Sequence, residues 1–248
     1  MSDLSRRSVL VIGVGGLGGP VALTLAAAGV GRLVLVDDDA VETSNLNRQP
    51  LFTERDVGER KVVAAARRLR HLHPEVKVEA LDRRFDDASS VELARSADLL
   101  VDGSDNFATK FLASDVAVAT GRMLVHGGVL RYTAQLFTVA PGVAGCLRCL
   151  FESAPPPGSV PSCAQAGVLG PLAGLAGTLM AQEALRLLGG ERGAYAGRLL
   201  IYDARTARAR FVPVRKRMDC LGCEGGRRVG VAAEPSPGAP AAGGGGAA

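Results

Sequence analysis

The sequence predicts an α/β protein with a doubly wound sheet, mostly parallel and extended at one end by antiparallel strands. Three observations predict it. Apolar runs of strand length alternate with helical patterns from Ser8 to Gly127, the rhythm of a parallel sheet. The first run stops at Gly13-Val14-Gly15-Gly16-Leu17-Gly18, a G-x-G-x-x-G that opens a helix in the Rossmann manner. After residue 130 the pattern changes to alternating strands, which suit antiparallel pairing.

Taken in order, Ser8–Ile12 is a β-branched strand and Arg32–Val36 a second one, delivering Asp37 19 residues after Gly18. Val41–Phe52 is a polar loop. A helix spans Glu59–Leu72, stopped by Pro74, and a third strand spans Val76–Leu81. Ser89–Arg95 is a short helix, and Asp98–Val101 a fourth strand ending in Asp102-Gly103-Ser104-Asp105-Asn106. A helix over Phe107–Thr120 and a strand over Met123–Gly127 complete the doubly wound part. Tyr132–Val139, Leu199–Tyr202 and Arg208–Val214 are the later strands, and Val168–Leu188 is a long closing helix. Residues 1–228 form one domain, with its nucleotide-binding part at about 8–130 and a Pro- and Ser-rich crossover loop at 151–165. The stretch 229–248 has no periodicity and reads as a disordered tail.

With 248 residues, 47% hydrophobic and 22% charged, the chain is an ordinary globular one with ample core. No uninterrupted apolar stretch reaches membrane-spanning length and no signal-peptide pattern precedes the first strand, so a soluble, cytoplasmic protein is expected. The net charge of +4 suits an anionic ligand. Nucleic acid is not favoured: the positive residues are dispersed, Trp is absent and aromatics are only 4%.

The glycine turn implies a bound nucleotide. Gly13 permits the tight turn, Gly15 and Gly16 let backbone N–H groups approach a phosphate, and Gly18 lets helix and sheet pack closely. Asp37 stands where a carboxylate reaches a ribose hydroxyl. Taken alone, the turn fits an NAD(P)- or FAD-dependent oxidoreductase.

Cys146-Leu-Arg-Cys149 and Cys220-Leu-Gly-Cys223 are two C-x-x-C pairs, the usual means of surrounding a zinc ion with four thiolates. A redox dithiol is the competing reading, but it needs only one such pair. A four-thiolate shell leaves no open position, so the zinc would be structural. Cys163 is left over, just before the long helix. It reads either as an activated thiol or as a small packed residue.

The GVGGLG turn, Asp37 and Asp39 in VDDD, the SNLNRQ loop, Lys61 in VGERKV, the DGSDN loop, both C-x-x-C pairs and SCAQAGVLGP occur in one order. That set resembles the ubiquitin-activating-enzyme-like adenylyltransferases of the ThiF/MoeB/HesA group, over about Ser8 to Cys223. The resemblance implies ATP-dependent adenylylation of the C-terminal glycine of a small ubiquitin-like sulfur-carrier protein, of the molybdopterin-synthase or thiamine type, ahead of sulfur transfer. It implies Arg48 and Lys61 as cations at the phosphates, Asp105 as the magnesium-holding acid, and Asn45 and Asn106 as polar supports for the nucleotide. Gly16, Asp37 and Asp39 join them, and Cys163 matches a loop cysteine that some branches use covalently. A homodimer is implied as well.

Each residue also has a plainer reading: Arg48 as a solvated loop charge, Lys61 as an exposed helix residue, Asp105 as a helix cap. His71, His73 and His126 read as ordinary surface or packed histidines, and Glu183 as either a satisfied polar residue or a partner contact. A non-catalytic carrier-binding scaffold would keep the fold and zinc without needing all three charges. Two departures from the group stand out. Only seven residues precede the first strand, and Arg6 and Arg7 lie too close to it to match the group's cross-subunit Arg. No sulfurtransferase domain follows Cys223, so a separate sulfur donor is expected, a cysteine desulfurase or sulfurtransferase.

Overall fold

The computed structural model of the chain describes residues 3–156, 159 and 166–223. Cys163, most of the crossover loop's second half and the expected tail at 229–248 lie outside the described residues.

One eight-stranded sheet runs in the order β3-β2-β1-β4-β5-β6-β7-β8. Its strands are β1 Ser8–Ile12, β2 Arg32–Asp37, β3 Lys77–Asp82, β4 Leu99–Asp102, β5 Met123–Leu130, β6 Thr133–Val139, β7 Arg198–Asp203 and β8 Arg208–Pro213. Neighbours among β1 to β5 pair in parallel, and the pairs from β5·β6 to β7·β8 are antiparallel. The helices are α1 Gly18–Ala27, α2 Lys61–Leu72, α3 Ser90–Arg95, α4 Phe107–Thr120, α5 Leu147–Leu150 and α6 Gly170–Leu188.

The central strands are apolar throughout because both faces are covered. Val9 and Val11 of β1 pack with Leu25 of α1, Leu69 of α2 and Met180 of α6. Leu10 and Ile12 turn to the opposite side, with Ala94 of α3 and Val116 of α4. Most elements shift by a residue or two from their sequence boundaries, and two of the differences have a clear cause. Strand β5 runs three residues past the expected Gly127, because Gly128, Val129 and Leu130 find antiparallel partners in Gln135, Ala134 and Thr133. Helix α2 begins at Lys61 rather than Glu59, because Gly58 is left-handed (φ 89°) and Arg60 is still extended, bridged to Ala40. That late start makes Lys61 the first residue of the helix.

Glu183, midway along α6, is fully buried and satisfied. Its Oε1 accepts from Thr138 Oγ1 at 2.7 Å and from the Tyr195 amide at 3.0 Å, and its Oε2 accepts from the Ala194 amide at 2.9 Å. It ties the loop before β7 to the helix and resolves the open reading as an internal structural role. Among the described residues, no helix is long and apolar enough to cross a membrane.

Candidate functional site

The site lies where a doubly wound sheet binds ligands, at the carboxyl ends of its parallel strands. After β1 the chain turns at Gly13, whose φ of 81° an L side chain rarely adopts. Its amide donates to Val36 O at 2.8 Å. Gly18 must lack a side chain, since a Cβ there would lie 1.8 Å from Gly13 O. A Cβ on Gly103, after β4, would lie 2.7 Å from the Gly18 amide. The two loops are thus pressed together at the head of α1, whose N-terminal amides favour an anion.

A cleft of about 1200 Å³ opens over this junction. Gly13, Gly15, Gly16, Asp37, Asp39, Arg48, Lys61, Asp105 and Asn106 all wall it. Segments far apart in sequence therefore converge. Gly18 and Asn45 are not on its wall. Gly18 serves the packing just described, and Asn45 is buried in the loop below, its carbonyl accepting from the Arg48 and Gln49 amides at 3.1 Å each.

Asp37 ends β2 and accepts from the Val14 amide at 2.8 Å and the Asp39 amide at 2.9 Å. Burial pushes its carboxyl pKa up, against the pull of Lys61 and these amides. Lys61 is almost entirely buried, with its Nζ 2.6 Å from Asp39 Oδ2, an ion pair that sets a positive charge in the cleft wall. The exposed-helix reading of Lys61 does not hold, because the late start of α2 turns it inward.

Arg48 is half-buried, and its Nη1 donates to Ser44 O at 3.0 Å and Asn47 Oδ1 at 3.1 Å. These bonds orient the guanidinium and use one nitrogen of a fork with five donors. The loop beneath is held by α6: a Cβ on Gly170 would come within 2.3 Å of Asn47 O. Gln49, also on the wall, is buried with its Oε1 unpaired, beside Gly15. Asp105 is exposed at a lip of the cleft and does not cap α4. That role falls to Asn106, whose Oδ1 accepts from the Thr109 amide at 2.9 Å.

Sequence reasoning missed a buried polar cluster under this lip. Asp102, the last residue of β4, is wholly buried. Its Oδ1 accepts from Ser104 Oγ at 2.5 Å and the Ser104 amide at 3.0 Å. Its Oδ2 lies 2.7 Å from His126 Nδ1 on β5 and 3.3 Å from Lys110 Nζ on α4. Lys110 Nζ also donates to Gly127 O at 2.6 Å. Burial alone would raise the Asp102 pKa, but Lys110, His126 and Ser104 together hold it well below the carboxylate range. Burial, reinforced by Lys110, pushes the His126 pKa down. Lys110 and His126 also reach the cleft wall. The one signal in the sequence was a lysine in the middle of an apolar helix pattern. His126 is packed as expected, but in a charged setting; His71 and His73 lie at the exposed end of α2, away from the cleft.

The four cysteines of the two C-x-x-C pairs gather at the far end of α4. All four are free thiols, and their Sγ atoms lie within 4.8 Å of one another. Cys146 and Cys220 approach to 3.6 Å, and Cys149 and Cys223 to 3.4 Å. Four thiolates about a tetrahedral zinc stand about 3.8 Å apart, so the donor set fits that ion. Burial pushes the Cys146 thiol up, and pushes Cys223 up to about 11. At Cys149 burial is outweighed by the Arg217 amide and the neighbouring cysteines, which pull the thiol down, so a cation is needed chiefly to deprotonate Cys146 and Cys223. The Arg217 amide points at Cys149 Sγ, 3.4 Å away.

Comparison with known proteins agrees with this geometry. The chain is 48% identical over 225 residues to the sulfur carrier protein adenylyltransferase of Thermus thermophilus, covering 89% of this chain and 83% of that one. It is also 48% identical over 224 residues to the SAMP-activating enzyme E1 of Haloferax volcanii, covering 90% and 82%. In fold it is similar to Escherichia coli MccB in complex with MccA-N7isoASN, with a TM-score of 0.79 at 22% identity, covering 89% of this chain and 68% of that one. The sequence pattern of the ThiF family matches residues 1–222, and the chain belongs to that family, as an adenylyltransferase of the ThiF/MoeB type.

Proposed function

We propose that this chain uses ATP to adenylylate the C-terminal glycine of a small ubiquitin-fold sulfur-carrier protein ending in Gly-Gly. The observation that carries the reading is the convergence of Arg48, Lys61 and Asp105, from three separate segments, on one cleft beside the glycine turn. A carboxylate oxygen of the carrier attacks the α-phosphorus. The bond from that phosphorus to the oxygen bridging to the β-phosphate breaks, and pyrophosphate leaves with the electron pair. The product is an acyl-adenylate, which a sulfur nucleophile then opens. Attack of an anion on a polyanion needs pre-placed positive charge. Lys61 supplies it from the wall, and Arg48 offers a planar fork to phosphate oxygens. Asp37 and the Gly15–Gly16 amides hold ribose and phosphate, while Asp39 keeps Lys61 in place. Asn106 supports the lip as the cap of α4.

A magnesium ion fits the exposed Asp105, since such ions take one or two carboxylates plus nucleotide phosphates, and it would neutralise charge on those phosphates. Cys146, Cys149, Cys220 and Cys223 would hold a structural zinc. A homodimer, a separate sulfur donor and a conditional covalent role for Cys163 complete the reading. Cys163→Ala should then lower formation of carrier thiocarboxylate with the natural donor, and unchanged formation would remove the covalent role.

The test is carrier-dependent exchange of labelled pyrophosphate into ATP, run with several candidate carriers. Exchange is expected, and Arg48→Ala, Lys61→Ala and Asp105→Ala should each slow it by about 10²-fold or more. Nicotinamide or flavin binding without exchange would favour an oxidoreductase, and carrier binding without exchange a scaffold.

A further inference from the structure

The cluster of Asp102, Lys110, His126 and Ser104 has no part in the reading above, yet it joins three elements directly under the lip that carries Asp105. We propose that Lys110 and His126 are positioning residues of the adenylylation site: by gripping the Asp102 carboxylate they fix the Gly103–Asn106 loop and so set where Asp105 meets the metal–nucleotide complex. The inference rests on the function proposed above.

The grip has two ends. On the protein side, Lys110 Nζ spans Asp102 Oδ2 at 3.3 Å and Gly127 O at 2.6 Å, locking the end of β4 and the middle of β5 to α4. His126 Nδ1 takes the same carboxylate oxygen at 2.7 Å. On the loop side, the other oxygen holds Ser104 by its amide and by its hydroxyl. One buried carboxylate therefore couples a rigid frame to the residue next to Asp105.

Gly103 transmits the same constraint to the phosphate turn, because its backbone lies against Gly18 with no space for a side chain. With Lys110 removed, Asp102 keeps its charge in a buried setting with its cation gone. Relief comes by drawing in water or a proton, and either loosens the hold on Ser104. A displacement of about 1 Å at a metal-holding carboxylate is enough to cost about 10²-fold in rate.

The experiment compares the full chain with Lys110→Met, Lys110→Arg and Ser104→Ala, measuring ATP affinity with and without Mg2+ together with amide exchange at Ser104. The wild-type chain should gain affinity when Mg2+ is added. Lys110→Met should lose about tenfold of that gain, over and above any change in its Mg2+-free affinity, and its Ser104 amide should exchange about tenfold faster. Lys110→Arg, which keeps the charge and the donors, should restore most of both. Ser104→Ala releases one link without stranding a charge, and it should show a smaller loss in the same direction even if Lys110→Met fails to fold. A folded Lys110→Met or Ser104→Ala with the full Mg2+ gain and unchanged amide exchange would overturn the inference alone. A wild-type chain that binds no ATP would overturn the functional reading and the inference with it.

Discussion

Asp37, half-buried, and Asp102, fully buried, are carboxylates at strand ends, and their surroundings drive them in opposite directions. Burial dominates at Asp37 and raises its pKa, whereas Lys110, His126 and Ser104 overcome burial at Asp102 and lower it. His126 is held neutral by burial and by Lys110 on α4, against the pull of Asp102 on β4. Its folded pKa therefore lies below the ordinary 6.5. As pH falls through 6.5, the unfolded chain takes up a proton that the folded chain resists, so the stability present above that value is lost. The melting temperature should fall between about pH 7 and pH 5, and His126→Gln should flatten that slope. Asp37 contributes with the opposite sign at lower pH, but it is common to both proteins, so comparing the slopes isolates His126. Equal slopes would show that His126 does not titrate as described.

Among the elements, α4 links the two ends of the molecule. Asn106 caps it at the cleft, Lys110 holds Asp102 one turn later, and at its far half Ser114 Oγ accepts from the Leu147 amide at 3.1 Å. Asp115 takes Arg148 bidentately at 2.7 Å on each nitrogen, and the same guanidinium lies over the Phe111 ring. The first cysteine pair is thus fastened to the helix by the Arg148 between its cysteines. Asp115→Ala strands that half-buried cation, so chemical denaturation should report a loss of about 2–4 kcal/mol. The strands were legible because two-sided burial leaves an uninterrupted apolar run, and α4 was legible to the residue, from Phe107 to Thr120. The far end of β5 was not: Gly127-Gly128 reads as a stop, and only its pairing with β6 keeps it extended. The glycine turn was equally readable, since a Cβ at Gly18 would strike Gly13 O. Gly18→Ala should therefore abolish ATP binding in a direct titration, or prevent folding altogether.

At the scale of the whole molecule, the sheet gathers at its strand ends what the chain keeps apart. Arg48, Lys61 and Asp105, which share the cleft wall, were candidates because the motifs around them resemble those of one family. Lys110 and His126 were missed because their meaning is purely spatial: they meet through a third residue, Asp102, on another strand. The cysteine pairs were legible by spacing, and their meeting ties the segment after β8 back to α4 and α5. If they hold zinc, the protein should contain one ion per chain by elemental analysis, and a strong chelator or Cys220→Ser should lower its melting temperature by several degrees. The most direct measurement of the central claim is a crystal structure with Mg2+ and a non-hydrolysable ATP analogue. It should place Arg48 and Lys61 within hydrogen-bonding reach of the phosphates, with Asp105 on the metal. A triphosphate bound away from those three side chains would contradict the account.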